Sequence, residues 1–169
     1  MRIRVFLDLY SFLLSNQDCE NKKIEHLRGS FNFSLNSLNR LYYFLLFVVV
    51  STFNNVGAYK LKSKLKFNKS DHSILLKRMS SNKVIAYLNN IFFKKIKFDF
   101  PDKANISYII EDIFNIILKN HSDDLLKDSN NKLEDDIEFL LVLFKQHFLA
   151  SEKLLFYMND NNIYCDSDL

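Results

Sequence analysis

Two glycines and one proline in 169 residues leave this chain almost without the residues that make tight turns. Glycine supplies the positive φ angles and proline the preset φ that hairpins need, so a many-stranded sheet is hard to build from such a sequence. Helices joined by polar loops need far less of that punctuation. The expected fold class is therefore all-α, and the length is one domain's worth of material.

Charge is unevenly placed along the chain. Residues 59–103 carry twelve Lys/Arg against three Asp/Glu, a balance of +9, whereas residues 104–169 carry five against thirteen, a balance of −8. Halves of opposite sign attract each other within one fold or present opposite faces to partners, and composition leaves both open.

Catalytic and metal chemistry find little purchase. There is no nucleophile motif and no glycine-rich phosphate loop, and His26, His72, His121 and His147 show no ligand spacing. Asp123 and Asp124 are paired carboxylates within the polar run "HSDDLLKDSNN", with no partner acid or base placed near them. The expectation is a protein that is not an enzyme and uses no metal or cofactor.

The stretch "LLFVVVSTFNNVGAYK" at 45–60 resembles the end of an export signal. Leu41 to Phe53 is apolar apart from Tyr42, Tyr43, Ser51 and Thr52, follows Arg40, and runs into a polar exit with Val56 and Ala58 at the small-residue positions. A membrane span needs about twenty apolar residues, so thirteen suit a signal h-region better. The competing reading is a core helix or a strand built on "VVV". On the export reading, residues 1–40 are an N-terminal extension outside the mature protein: either the export segment is recessed or, the favoured alternative, translation is assigned from too early a start. Residues 41–58 are then the h- and c-regions, and residues 59–169 the exported domain. Cys165 would be the one cysteine left after a cut at Ala58, so no internal disulfide would form. Asn68, Asn105 and Asn120 head Asn-x-Ser triplets and become glycosylation acceptors in an exported chain.

Apolar spacing places the helices. Ile74, Leu75, Met79, Val84 and Leu88 predict a helix over 71–82, and the basic stretch "YKLKSKLKF" before it alternates with period two. "NKVIAYLNNIFFKKIKFDFP" reads as a loop carrying a short helix or an extended patch, closed by Pro101. Ile106, Ile109, Ile110, Ile113, Phe114, Ile117 and Leu118 form the clearest stripe on the chain. A last long helix starts near Asn131, with Glu134 three residues on as a capping pair and Asp135 and Asp136 as structural charges at the positive helix end. Its expected buried stripe is Leu133, Ile137, Leu140, Leu141, Phe144, Phe148 and Leu155, with His147 as a polar flank. "NDNNIYCDSDL" shows no period and reads as a frayed tail.

In order, "LLKRMSS" (75–81), "YLNN" (87–90), "FDFP" (98–101), "IIEDIFNIILKNHSDD" (109–124) and "KLEDDIEFLLVLFKQHFLASEKLL" (132–155) resemble the first half of a type I interferon. The resemblance covers residues 72–157. It implies a partial up-up-down-down four-helix-bundle cytokine, secreted, that binds class II-type cytokine receptor chains and induces antiviral defence. Lys97 and Phe98 would lie on one receptor face, and Glu111, Asp112 and Lys119 on the other. Tyr87 stands where that family carries a disulfide cysteine, and its final two helices have no counterpart, so the domain is expected to be incomplete and to leave apolar stripe exposed. The alternative function is an intracellular all-α protein-interaction module with residues 41–53 in its core.

Overall fold

The computed structural model describes residue 10 and residues 20–63, 70–93, 102–120, 132–161 and 163. Among them there are helices and no strands, so the chain is all-α as its composition requires. In chain order the helices are α1 (Glu20–Ser63), α2 (Ser70–Ser81), α3 (Lys83–Leu88) and α4 (Lys103–Lys119), then α5 (Leu133–Leu143) and α6 (Glu152–Asp160). Two of them widen at their ends into π turns, α3 at Asn89–Phe93 and α5 at Phe144–Phe148.

Helix α1 is the spine. Phe44, Val48, Val49, Val50, Phe53 and Val56 are all buried, and Phe44 and Val48 are wholly so. Three consecutive valines sweep about 200° around a helix, so they need cover on several sides, and α1 packs on α2, α3 and α4. That burial overrides the mild reluctance of β-branched residues to be helical. Thr52 is also fully buried, but its hydroxyl donates to the Val48 carbonyl at 2.8 Å and so leaves no polar atom stranded. Residues 20–40 are helical as the N-terminal continuation of this spine.

Aromatic contacts join α1 to three other helices. Phe44 stacks on Tyr157 of α6 at 5.5 Å, Phe53 meets Phe139 of α5 edge-on at 6.4 Å, and Tyr59 meets Phe114 of α4 edge-on at 5.6 Å. The run expected to be a removable leader is thus the centre of the helical core. Gly57 and Ala58 lie on the exposed side of the same unbroken helix, which ends at Ser63.

Helix α4 matches its sequence stripe residue for residue, with Ile106, Ile109, Ile110, Ile113, Phe114, Ile117 and Leu118 all buried. Its N-cap, Asp102, holds a left-handed backbone (φ 48°) while its carboxylate accepts from the Asn105 N–H at 3.1 Å. Short polar side chains tolerate that conformation better than most.

The stretch expected to be a loop carrying a short helix or an extended patch holds a helix over its described residues 83–93, where Asn82 caps α3 by accepting from the Ile85 N–H at 3.0 Å; residues 94–101 lie outside the described residues. Three expectations need correction. Helix α5 starts after Lys132, which makes no side-chain cap; Asn131 lies outside the described residues. The long final helix is broken at Leu149–Ser151, where the Ser151 hydroxyl accepts from the Leu154 N–H at 3.3 Å and starts α6 afresh. The tail is anchored at Ile163, which is fully buried and donates its N–H to the Met158 carbonyl at 2.9 Å.

Two expected outcomes follow from this packing. Cutting after Ala58 removes six buried apolar side chains, worth roughly 1.5–3 kcal/mol each, which matches or exceeds the ~5–15 kcal/mol that holds a domain together. Residues 59–169 alone should therefore show no cooperative thermal transition by circular dichroism, while the full chain shows one. Burial, with the Asp102 carboxylate adding to it and Arg40 opposing, raises the Tyr157 phenol above its ordinary value. The folded state then holds that proton more tightly, so its contribution is complete below about pH 10 and is lost as pH rises beyond. Tyr157→Phe should flatten the alkaline limb of the stability–pH curve.

Candidate functional site

Helix α5 is apolar on two sides, and only one of them faces the core. Phe139 and Leu143 are buried and Leu140 packs against the core, whereas Leu133, Ile137 and Leu141 are 50%, 42% and 50% exposed. Their four-residue spacing sets the last three in one ridge along the helix. Leu133, Ile137 and Leu141, expected to be buried, thus form an outward face, and Leu155 on α6 is exposed as well. Phe148 remains inward. The π turn from Phe144, closed by the Leu149 N–H to the Phe144 carbonyl at 3.0 Å, adds a residue to the turn and brings both His147 and Phe148 inside. His147 is therefore a buried residue and not a polar flank.

The rotation of α5 is fixed by polar bonds. Asp136 is only 8% exposed and accepts from the Lys83 N–H at 3.0 Å, at the open N-terminus of α3. Asn82, also buried, donates its amide to the Asp136 carbonyl at 3.1 Å while capping α3 with its oxygen. The Arg78 guanidinium sits 4.3 Å from the centre of the Phe139 ring and clasps α5 from α2. Asp136 is structural, as expected, through a contact that the sequence does not show.

With α5 held this way, the outward ridge is edged by the exposed carboxylates Glu134 and Glu138, one turn apart. A hydrophobic line with an acidic border is chemically suited to an amphipathic partner helix. Among the described residues no group of His, Cys, Asp or Glu is placed to hold a metal ion.

The residues drawn from the interferon resemblance fall elsewhere. Glu111 and Lys119 are exposed on α4. Asp112 is already engaged within the chain, because the Lys153 ammonium of α6 meets its carboxylate at 2.9 Å. That ammonium also donates to the Tyr108 hydroxyl at 3.2 Å and lies 4.8 Å from the Tyr108 ring centre. The Asp112 hydrogen bond, followed by the Tyr108 one, raises the Lys153 pKa. Asn105 and Asn120 are exposed at the two ends of α4. Lys97, Phe98 and Asn68 lie outside the described residues.

No protein-family model matches this chain, and neither a curated protein nor a solved structure matches it.

The Asp136 clamp is open to test. Asp136→Ala leaves the Lys83 N–H without its acceptor and should cost about 1–3 kcal/mol in denaturant unfolding, with Asp136→Asn costing less. Combined with Asn82→Ala, the loss should fall short of the sum, since both substitutions open the same α3–α5 contact.

Proposed function

We propose that this chain is an all-α protein-interaction module, working inside the cell that makes it with residues 41–53 as part of its core. It acts by binding and not by chemistry. The observation that carries the reading is the outward ridge of Leu133, Ile137 and Leu141 with its Glu134 and Glu138 border. The partner that complements it is a helical segment with apolar residues at three- and four-residue spacing and Lys or Arg along one edge. Burial of Phe44 through Val56 supports the intact chain as the working form, because a cut at Ala58 removes the Phe44 and Phe53 rings that meet α6 and α5.

A second reading is the secreted type I interferon-like cytokine. Two observations favour it. The acceptors Asn105 and Asn120 are exposed at opposite ends of α4, and Glu111 and Lys119 are exposed on that same helix, where a receptor chain would meet them. Leu27–Tyr59 is also long and apolar enough to cross a membrane, a property that signal sequences share with the core helices of soluble proteins.

Expression of the full coding sequence in animal cells, with a C-terminal tag, separates the two. The interaction-module reading expects an intact, glycosidase-insensitive product in the cell lysate. A glycosidase-sensitive product in the medium whose N-terminus is Tyr59 overturns it in favour of the cytokine. For the ridge itself, a labelled amphipathic peptide with a leucine stripe and a lysine edge should bind the full chain in anisotropy titrations. A glutamate-edged version should bind at least about tenfold more weakly, a gap of about 1.4 kcal/mol, and Ile137→Glu should abolish binding without shifting the thermal midpoint.

A further inference from the structure

The N-terminal part of α1 carries a pattern that its buried part also carries. Ile24, Arg28, Phe31, Leu35, Leu38, Tyr42, Leu45, Val49, Thr52 and Val56 follow one another at alternating steps of four and three residues. That is the seven-residue repeat of a coiled-coil seam, which lines up along one side of a helix. From Val49 onward the seam is buried by the rest of the molecule. Before that it is exposed at Ile24, Arg28, Phe31, Leu38 and Tyr42, while Leu35 is half-buried and Leu45 packs on the core. Ile24 is 52%, Phe31 41%, Leu38 45% and Tyr42 53% exposed, and no described side chain between Ile24 and Arg40 is buried. The exposed seam from Ile24 to Tyr42 runs about 27 Å at 1.5 Å per residue.

We propose that this seam is a homodimer interface, in which the Ile24–Tyr42 segment of α1 pairs antiparallel with the same segment of a second copy. Three observations choose that occupant. A four-three seam fits another of its own kind, and a two-fold pairing uses the same patch on both copies. The positions flanking it hold Glu25, Asn32 and Asn39 on one side and Leu27, Ser34 and Leu41 on the other, so self-pairing brings no crowd of like charges together. At ~200 Å² per large side chain, the exposed fractions of the seam amount to roughly 500 Å² per copy, so a pair buries about 1,000 Å², the lower bound for a specific interface.

The antiparallel direction follows from Arg28. A parallel pair sets Arg28 against Arg28 in the seam, whereas an antiparallel pair centred between Phe31 and Leu35 sets Phe31 against Leu35, Arg28 against Leu38 and Ile24 against Tyr42. The like-charge contact disappears, and each Arg28 lies over apolar surface with its guanidinium free to reach water.

Sedimentation equilibrium of the full chain over a concentration series tests the proposal. The chain mass is 20.1 kDa, and the expected result is a reversible shift towards twice that mass. The double substitution Phe31→Glu/Leu38→Glu should hold the protein at one chain mass, with the helix content and thermal midpoint that the wild type shows at dilutions where it is monomeric. A wild-type chain that stays monomeric throughout overturns the proposal, as does a dimer that survives the double substitution. Monomeric wild type that dimerises once residues 1–19 are removed assigns the seam to the chain's own N-terminal segment and also overturns it. Monomeric wild type that pellets with phosphatidylcholine vesicles assigns the seam to lipid, with the same consequence. In a Cys19→Ser/Cys165→Ser background, spin labels on Glu25→Cys should lie about 24 Å apart in the antiparallel dimer. A separation near the ~10 Å spacing of paired helices overturns the antiparallel arrangement.

Discussion

Helices α4, α5 and α6 depend on one burial, that of residues 44–56 within α1. The segment presents Phe44 to Tyr157 in α6 and Phe53 to Phe139 in α5, and just beyond it Tyr59 meets Phe114 in α4. Helices α5 and α6 have only 11 and 9 residues, and isolated helices of fewer than about fifteen residues are marginal in water. They persist because each docks its apolar stripe on a common spine. A contiguous apolar run is what a spine needs, and it is also what an export signal needs. One stretch of sequence satisfies both sets of requirements.

Around that spine, a few polar contacts decide orientation. An apolar contact is tolerant of rotation, since a helix turned by a few tens of degrees still buries most of the same area. A hydrogen bond from a backbone N–H to a buried carboxylate is not tolerant, because its loss leaves both groups unsatisfied. Asp136 on the Lys83 N–H and Asn82 on the Asp136 carbonyl fix which side of α5 looks inward. The Asn54–Asn89 pair, exchanging amide hydrogen bonds at 3.0 and 3.2 Å at the surface, adds a tie between α1 and the π turn after α3. Exposure of the Leu133–Ile137–Leu141 ridge is thus a consequence of polar bonds on the opposite face of the helix.

The legibility of each helix in the sequence follows from how many faces it has. Helix α4 has one apolar stripe and polar residues elsewhere, and the seven residues read as buried are the seven that are buried. Helix α5 is apolar on most of its circumference, so periodicity offers two inward faces and cannot rank them. The buried Asp136 settles the choice against the one that the leucine count favours. Signals for the break at Ser151 and the cap at Asn82 were present as short polar side chains at helix starts. They were outweighed by apolar runs on either side. Ile163 has only polar residues three and four positions to either side, so no period betrays it, yet it is fully buried and its N–H reaches the Met158 carbonyl at the end of α6.

Scarcity of glycine and proline, together with three- and four-residue apolar spacing, determined by itself that this protein is all-α and which side of α4 is buried. Those are properties of a chain segment and its own backbone, so sequence suffices. Tertiary structure alone decided that residues 44–56 are the spine, that α5 shows a leucine ridge to the outside, and that Asp112 is occupied by Lys153. Each depends on what a distant segment places against it, and a side chain's neighbours across space leave no mark in its own spacing.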